Sequence, residues 1–415
     1  MKHVIIIGGG VIGLCTAYFL TKEGYQVSII DKSKINSGAS YINAGYVSPS
    51  HFISLASPET VKKGLHYLTK KDAPLYIQPR WDVSFFKWAY YFYKSATPQK
   101  VKKAIPVIKE ISLLSKNLYQ QIKNSNDAGA FQWETKGLLH LYKSQQEADN
   151  EFEVSKIAEK EGLDVKIIDK KELLSLEPAI HESIKGAFWY KCDAHSTPNE
   201  FMDNLGAYLK KQGVHFILNE EVISVNSHKN KITTLQTANG SYSADEIVLA
   251  TGSWTESLGN SLKLKLPVQA GKGYSINSTD SFGIKYPAVL MDAKVAVTPM
   301  KGFTRFAGTM EFSGNNHLIK PARVKAIAKA ASGYYKNISL KDTDLQNAKC
   351  GLRPVTPDGL PYIGRTAKFN NLVIAAGHAM MGWSMAPATG KLVKEIITAE
   401  KPGLNLEPFN PDRFS

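Results

Sequence analysis

Cysteine is nearly missing from this 415-residue chain. Its three residues, Cys15, Cys192 and Cys350, lie far apart and form no C-x-x-C pair. That argues against a disulfide framework and a cysteine-built zinc site, so no metal centre is expected. The free thiols fit a reducing, cytoplasmic setting. Long apolar runs are lacking too. No stretch approaches the roughly 18 residues of a membrane span. The run at 4–7 is too short for a signal peptide and has no small-residue cleavage site. No period repeats in the manner of a solenoid or propeller. Acid is scarce relative to base, with a net charge of +14. Such a balance raises nucleic acid or an anionic membrane as partners. The lysines, however, are spread out, as at Lys70-Lys71, Lys102-Lys103 and Lys210-Lys211. With no basic block and no nucleic-acid motif, no nucleic acid is expected. A solvated lysine surface is the plain reading, with a weak membrane preference or an anionic substrate as alternatives. Arginine is the scarcest charge, at positions 80, 305, 323, 353, 365 and 413 only. Where lysine supplies bulk charge, an arginine in an apolar setting suggests a fork that grips a carboxylate or phosphate.

What is present begins with the first turn. Lys2 to Ile7 reads as a strand, Gly8-Gly9-Gly10-Val11-Ile12-Gly13 follows, and a helix leads to a second strand ending at Asp31. This is Gly-x-Gly-x-x-Gly within a strand–turn–helix–strand unit. Gly8 serves the tight turn, Gly10 lets a pyrophosphate approach, and Gly13 lets the helix pack on the strand. The helix N-terminus, through Val11 and Ile12, faces the phosphates. Asp31, with Lys32 beside it, is placed for a ribose diol, and its charge disfavours NADP. The turn alone does not separate NAD from FAD.

Two later units return to this fold. Glu246 to Ala250 is an apolar strand ending in Thr251-Gly252-Ser253-Trp254, preceded by Val222 to Val225. Leu372 to Ala376 is another, running into Gly377-His378-Ala379-Met380-Met381-Gly382-Trp383 and a helix. Between the first and second units, Ser37 to Ser40 and Asn43-Ala44-Gly45 form a small-residue loop suited to close backbone passage over a cofactor. Distant segments that return to one turn suit the long FAD molecule. Trp81, Phe85, Trp88 and Phe92 recur at helical spacing, with Lys87 and Lys94 beside them. They read as a core-covering helix or as a membrane or partner surface. Residues 263–312 are strand-rich.

The order of these segments resembles the FAD-dependent D-amino-acid dehydrogenases. The likeness rests on Asn43-Ala44-Gly45-Tyr46-Val47-Ser48-Pro49, Lys272-Gly273-Tyr274-Ser275, Gly351-Leu352-Arg353-Pro354-Val355-Thr356-Pro357-Asp358-Gly359 and Gly377-His378. It spans residues 2 to 403 and extends to the broader group of glycine, sarcosine and D-amino-acid oxidases. Tyr46, His51 and the bulky Ala379-Met380-Met381 depart from the usual pattern, which leaves substrate size open.

The resemblance implies an α/β fold. A Rossmann-type FAD-binding domain (1–49, 195–255 and 345–415) interleaves with an α+β substrate domain on an antiparallel sheet (50–194 and 256–344). It implies oxidation of D-amino acids or cyclic D-imino acids, small anionic substrates, with electrons passing to a respiratory acceptor. Localisation would be cytoplasmic, or peripheral on the inner membrane. Hydroxy-D-proline or D-proline oxidation and a glycine/sarcosine-type oxidase are alternatives. A 2-hydroxy-acid dehydrogenase and a non-catalytic flavoprotein subunit stand further off. Arg353 is expected to clamp the substrate carboxylate. Tyr274 would add a hydroxyl to it, line the pocket, or serve as a core aromatic. His378 is either a base or a loop residue near the flavin, and Arg305 belongs either to the site or to the sheet surface. The full cofactor set is Gly8, Gly10, Val11, Ile12, Gly13, Asp31, Lys32, Ser37, Ser40, Asn43, Ala44, Gly45, Val222, Ala250, Thr251, Gly252, Trp254, Arg353, Gly377, His378, Met381, Gly382 and Trp383.

Overall fold

The computed structural model describes residues 2–67 and 74–415, so Lys70 and Lys71 lie outside the described residues. Near-continuous apolar segments make the first sheet. Its six strands run in the order His215–Leu218, Gln26–Asp31, His3–Ile7, Glu246–Leu249, Leu372–Ala376 and Tyr362–Arg365. All neighbours are parallel except the last pair. Strands such as Val4 to Ile7 and Leu372 to Ala376 are buried throughout, as a sheet covered on both faces requires. The helices Val11–Lys22, Pro198–Lys211 and Gly382–Thr398 pack on one face in a shared core with Pro98–Ser125. Ligands of such sheets bind beyond the carboxyl ends of the strands. Those ends carry Gly8, Asp31, Ala250 and Gly377.

The second sheet has nine strands, mainly antiparallel, with parallel pairings at Ala288–Leu290 on Leu138–Tyr142 and Phe303–Phe312 on Leu75–Ile77. Its edge strand Lys349–Val355 pairs with Gln269–Ser278. The sequence reading groups residues 349–355 with the dinucleotide fold, but their hydrogen bonds put them in this sheet. The mixed α/β architecture with a Rossmann-type sheet agrees with the expected fold class.

Two helices show why local sequence alone misleads. Trp81 shares the spacing of Phe85, Trp88 and Phe92 but stands outside their helix, which is capped by Asp82 and spans Val83–Ser95. It is 98% exposed. Pro387 lies inside Gly382–Thr398 and withholds the N–H that the Trp383 carbonyl would accept. The Tyr119 hydroxyl donates to that carbonyl instead, at 2.8 Å.

Candidate functional site

A cavity of about 1690 Å³ is lined by both sheets. The opening turn forms one end. Gly8 has φ +111°, and a Cβ there would stand 2.3 Å from the Ala250 carbonyl oxygen. At Gly13 it would stand 1.9 Å from the Gly8 oxygen. Gly10 is different, since only Ser40 Oγ, at 3.2 Å, comes within reach of an added Cβ. The space above Gly10 is free, and it opens on the helix N-terminus. Its N-cap, Gly10, has no side chain to cap it and no acid stands in its first turn; from outside the helix, Ser40 Oγ accepts from Val11 N–H at 3.1 Å. Asp31 is oriented from both sides. Its Oδ2 accepts from Gly9 N–H (2.6 Å), and its Oδ1 accepts from Ser33 N–H (2.7 Å) and Oγ–H (2.8 Å). Lys32 Nζ sits 3.7 Å above the Trp254 ring centre.

The lining also includes Val11, Ile12, Ser37, Ser40, Asn43, Ala44, Val222, Ala250, Thr251, Gly252, Trp254, Arg353, Gly377, His378, Met381, Gly382 and Trp383. Gly13 and Gly45 stand behind it, because each backs onto a carbonyl. A Cβ on Gly45 would lie 2.2 Å from Ser196 O. Two lining hydroxyls, Ser48 Oγ and Ser253 Oγ, are buried without a hydrogen-bond partner among the described residues. Buried orphan donors call for a partner, and a ligand in the cavity can supply it. A second helix, Gly382–Thr398, also opens on the cavity with no side-chain cap. An open phosphate cradle, an oriented carboxylate and two helix N-termini free of acid in their first turns fit FAD. Gly10 and Val11 would hold its pyrophosphate, Asp31 its ribose, and Gly382 the electron-rich edge of the flavin. Among the described residues no His, Cys, Asp and Glu group could hold a metal ion.

Arg353 stands farther along the cavity. Its guanidinium lies over Gly273, where a Cβ would come within 2.2 Å of both terminal nitrogens. Nη1 donates to the Thr309 carbonyl at 2.8 Å. No acid pairs with Arg353 among the described residues, and burial lowers its pKa to about 10, so it stays charged at neutral pH. Beside it Leu75, Ile77, Phe85, Trp88, Phe92 and Met310 form an apolar wall.

Tyr274 borders the cavity, but its hydroxyl donates to Glu311 Oε2 at 2.9 Å and is not offered to a substrate carboxylate. The strand's alternation directs that ring to the core side. His378 is 2% exposed, and burial lowers its pKa to about 3. The Thr389 hydroxyl gives its proton to Met385 O, so at 2.9 Å it must accept from His378 Nε2–H. A neutral imidazole held in that tautomer is a poor general base, and the structure favours the loop-residue reading. Arg305 belongs neither to the site nor to the surface. It is buried, donating to Asn43 O (2.7 Å), Asn277 Oδ1 (2.9 Å) and Asn199 Oδ1 (3.1 Å). It thus pins the 41–45 loop to the second sheet.

Sequence reasoning missed the polar end of the cavity. His140 Nδ1 lies 2.6 Å from Glu151 Oε1, which also accepts from Tyr190 OH at 2.7 Å. Strand and helix bring these residues together only on folding, so no local signal marks them.

The family model for FAD dependent oxidoreductases matches residues 3–396. The D-amino acid dehydrogenase of Vibrio atlanticus (strain LGP32) is 30% identical, covering 99% of this chain and all of that protein. The glycine oxidase structure from Geobacillus kaustophilus superposes with a TM-score of 0.78 at 22% identity, over 100% of this chain and 99% of that one. The L-proline dehydrogenase structure from P. horikoshii gives 0.76 at 20% identity, over 100% and 97%. These structural likenesses establish the shared fold.

Proposed function

The chain belongs to the family of FAD-dependent oxidoreductases, and on that premise we propose that it oxidises D-amino acids or cyclic D-imino acids. FAD, when bound, supplies the acceptor for the hydride that leaves the substrate α-carbon. Arg353 carries the reading: a buried, charged guanidinium with no acid partner among the described residues, facing a cavity. It grips the substrate carboxylate through a forked pair of hydrogen bonds and fixes the α-carbon for transfer. The apolar wall beside it favours uncharged side chains, including the ring of D-proline or hydroxy-D-proline. His378, neutral and committed to Thr389, leaves the amine to lose its proton to solvent before oxidation. The imine released is hydrolysed by water to a 2-oxo acid and ammonia, while a cyclic substrate yields a pyrroline carboxylate.

The name of the 30%-identical relative supports the D-configuration and a dehydrogenase. Electrons then pass to a respiratory acceptor. The exposed Trp81, Val83, Phe86, Tyr90 and Tyr93, with Lys87 and Lys94 among them, support a peripheral contact with the inner membrane from the cytoplasmic side. Among the described residues no helix is long and apolar enough to cross a membrane.

The test is an anaerobic panel of D-, L- and imino acids with flavin absorbance as readout. Bleaching by D-amino or D-imino acids is expected. Bleaching by L-amino acids alone, or by 2-hydroxy acids alone, would refute the reading. Hydrogen peroxide formed at the turnover rate would replace the dehydrogenase by an oxidase. Arg353→Ala should keep FAD and lose substrate affinity; unchanged affinity removes the clamp.

A further inference from the structure

We infer that Glu311 is a positioning residue for the substrate clamp, stapling the bulge that aims Arg353; this rests on the proposed role of Arg353. The strands Gln269–Ser278 and Phe303–Phe312 slip register at one place. Lys272 pairs with Glu311 and Tyr274 with Gly308, so Thr309 and Met310 together oppose Gly273. In this bulge Thr309 takes φ +70°, an unfavourable conformation for a β-branched residue. What the bulge provides is direction, because the Thr309 carbonyl turns to accept from Arg353 Nη1. Gly273 leaves the guanidinium its space.

A strained bulge persists only where its surroundings hold it. Glu311 does so from the opposite face of the sheet. Its side chain is fully buried. Its Oε2 accepts from Tyr274 OH at 2.9 Å, and its Oε1 lies 3.5 Å from Lys272 Nζ. Lys272 and Tyr274 are the two neighbours of Gly273, so one carboxylate grips the strand on both sides of the bulge. Lys272 Nζ also donates to Asn316 Oδ1 (2.6 Å) and Leu318 O (3.0 Å), which ties the staple to the next loop. Lys320 and Arg323 complete the charge around Glu311, at 3.5 and 3.4 Å. The strand's alternation sets these groups opposite the guanidinium, so they act on the substrate only through the backbone.

The test uses the FAD-loaded enzyme and anaerobic flavin reduction by D-alanine and D-proline, separating substrate Kd from the limiting rate. Tyr274→Phe should raise Kd about tenfold, as for a lost hydrogen bond to a charged group. The limiting rate should stay within about twofold, because the reacting atoms are untouched. Glu311→Gln should raise Kd at least as much, and the double variant no further than Glu311→Gln alone. Should Glu311→Gln fail to fold, Lys272→Met replaces it in the cycle. An unchanged Kd for Tyr274→Phe overturns the inference. So do additive effects in the double variant, which would make Tyr274 a direct substrate ligand. Arg353→Ala separates the two proposals. If it leaves Kd unchanged, the clamp itself is wrong. If it abolishes binding while the other variants leave Kd unchanged, only the staple is wrong.

Discussion

Replacing Gly273 by alanine should disarm the enzyme without unfolding it. The new methyl carbon would stand 2.2 Å from both Arg353 terminal nitrogens and 2.4 Å from Cζ. Those atoms end a long flexible side chain, so the guanidinium moves and the sheet does not. Movement forfeits the Thr309 hydrogen bond and the alignment of the fork with a carboxylate. A hydrogen bond to a charged group contributes about 1.5–3 kcal/mol. At about 1.4 kcal/mol per factor of ten, substrate Kd should rise roughly ten- to 150-fold. Gly273 is an interior strand position without positive φ. Added β-propensity therefore offsets part of any packing loss, and Tm should shift by only a few degrees. Stopped-flow flavin reduction gives Kd, and thermal unfolding of the FAD-loaded protein gives Tm. An unchanged Kd with native Tm would mean that the guanidinium position is not what binds substrate, and the reasoning would fail.

Gly10→Ala and Gly13→Ala should separate binding from folding. The first leaves the fold intact but weakens FAD binding, seen by equilibrium dialysis. The second forces a methyl against the Gly8 carbonyl and should lower Tm or abolish expression. Raising the pH should leave substrate affinity level until Arg353 loses its proton near pH 10, above which KM climbs. A KM that falls there would contradict a charged clamp. His378, neutral above its pKa of about 3, should contribute no inflection to the kcat profile between pH 5 and 9, and His378→Gln should keep the wild-type profile shape. Changing Phe86, Tyr90 and Tyr93 to serine should reduce sedimentation with anionic vesicles while leaving reduction by substrate intact. Undiminished sedimentation argues against that face as the membrane contact.

The dinucleotide end was legible because its constraints are local. Gly13 is required by the Gly8 carbonyl and Gly10 by an open space within one strand–turn–helix unit; Gly8 also backs onto Ala250 of a distant strand, but its place in the glycine pattern reveals it. Arg353 was singled out by its place in the family motif, and the residues themselves offered only the scarcity of arginine as a signal. Tyr274 was not. Whether a strand residue faces the cavity or the core depends on register, and one slip reverses it. The slip at Gly273 is fixed by Thr309 and Met310, which lie in another strand. Arg305 was ambiguous for a related reason. Its partners Asn43, Asn199 and Asn277 come from three distant segments. The His140–Glu151 pair likewise exists only in three dimensions.

The helix Val83–Ser95 has two working sides. Phe85, Trp88 and Phe92 look into the cavity, Phe86 and Tyr90 look out, and the exposed Tyr93 stands at the cavity's rim. One rigid element therefore feels both the substrate and whatever touches the protein from outside. Binding free energies at two such sites are reciprocal. If an outer partner shifts this helix and tightens the substrate pocket by some factor, a filled pocket must tighten the grip on that partner by the same factor. Coupling of that kind would show as a substrate Kd that changes by the same factor when the exposed face is engaged.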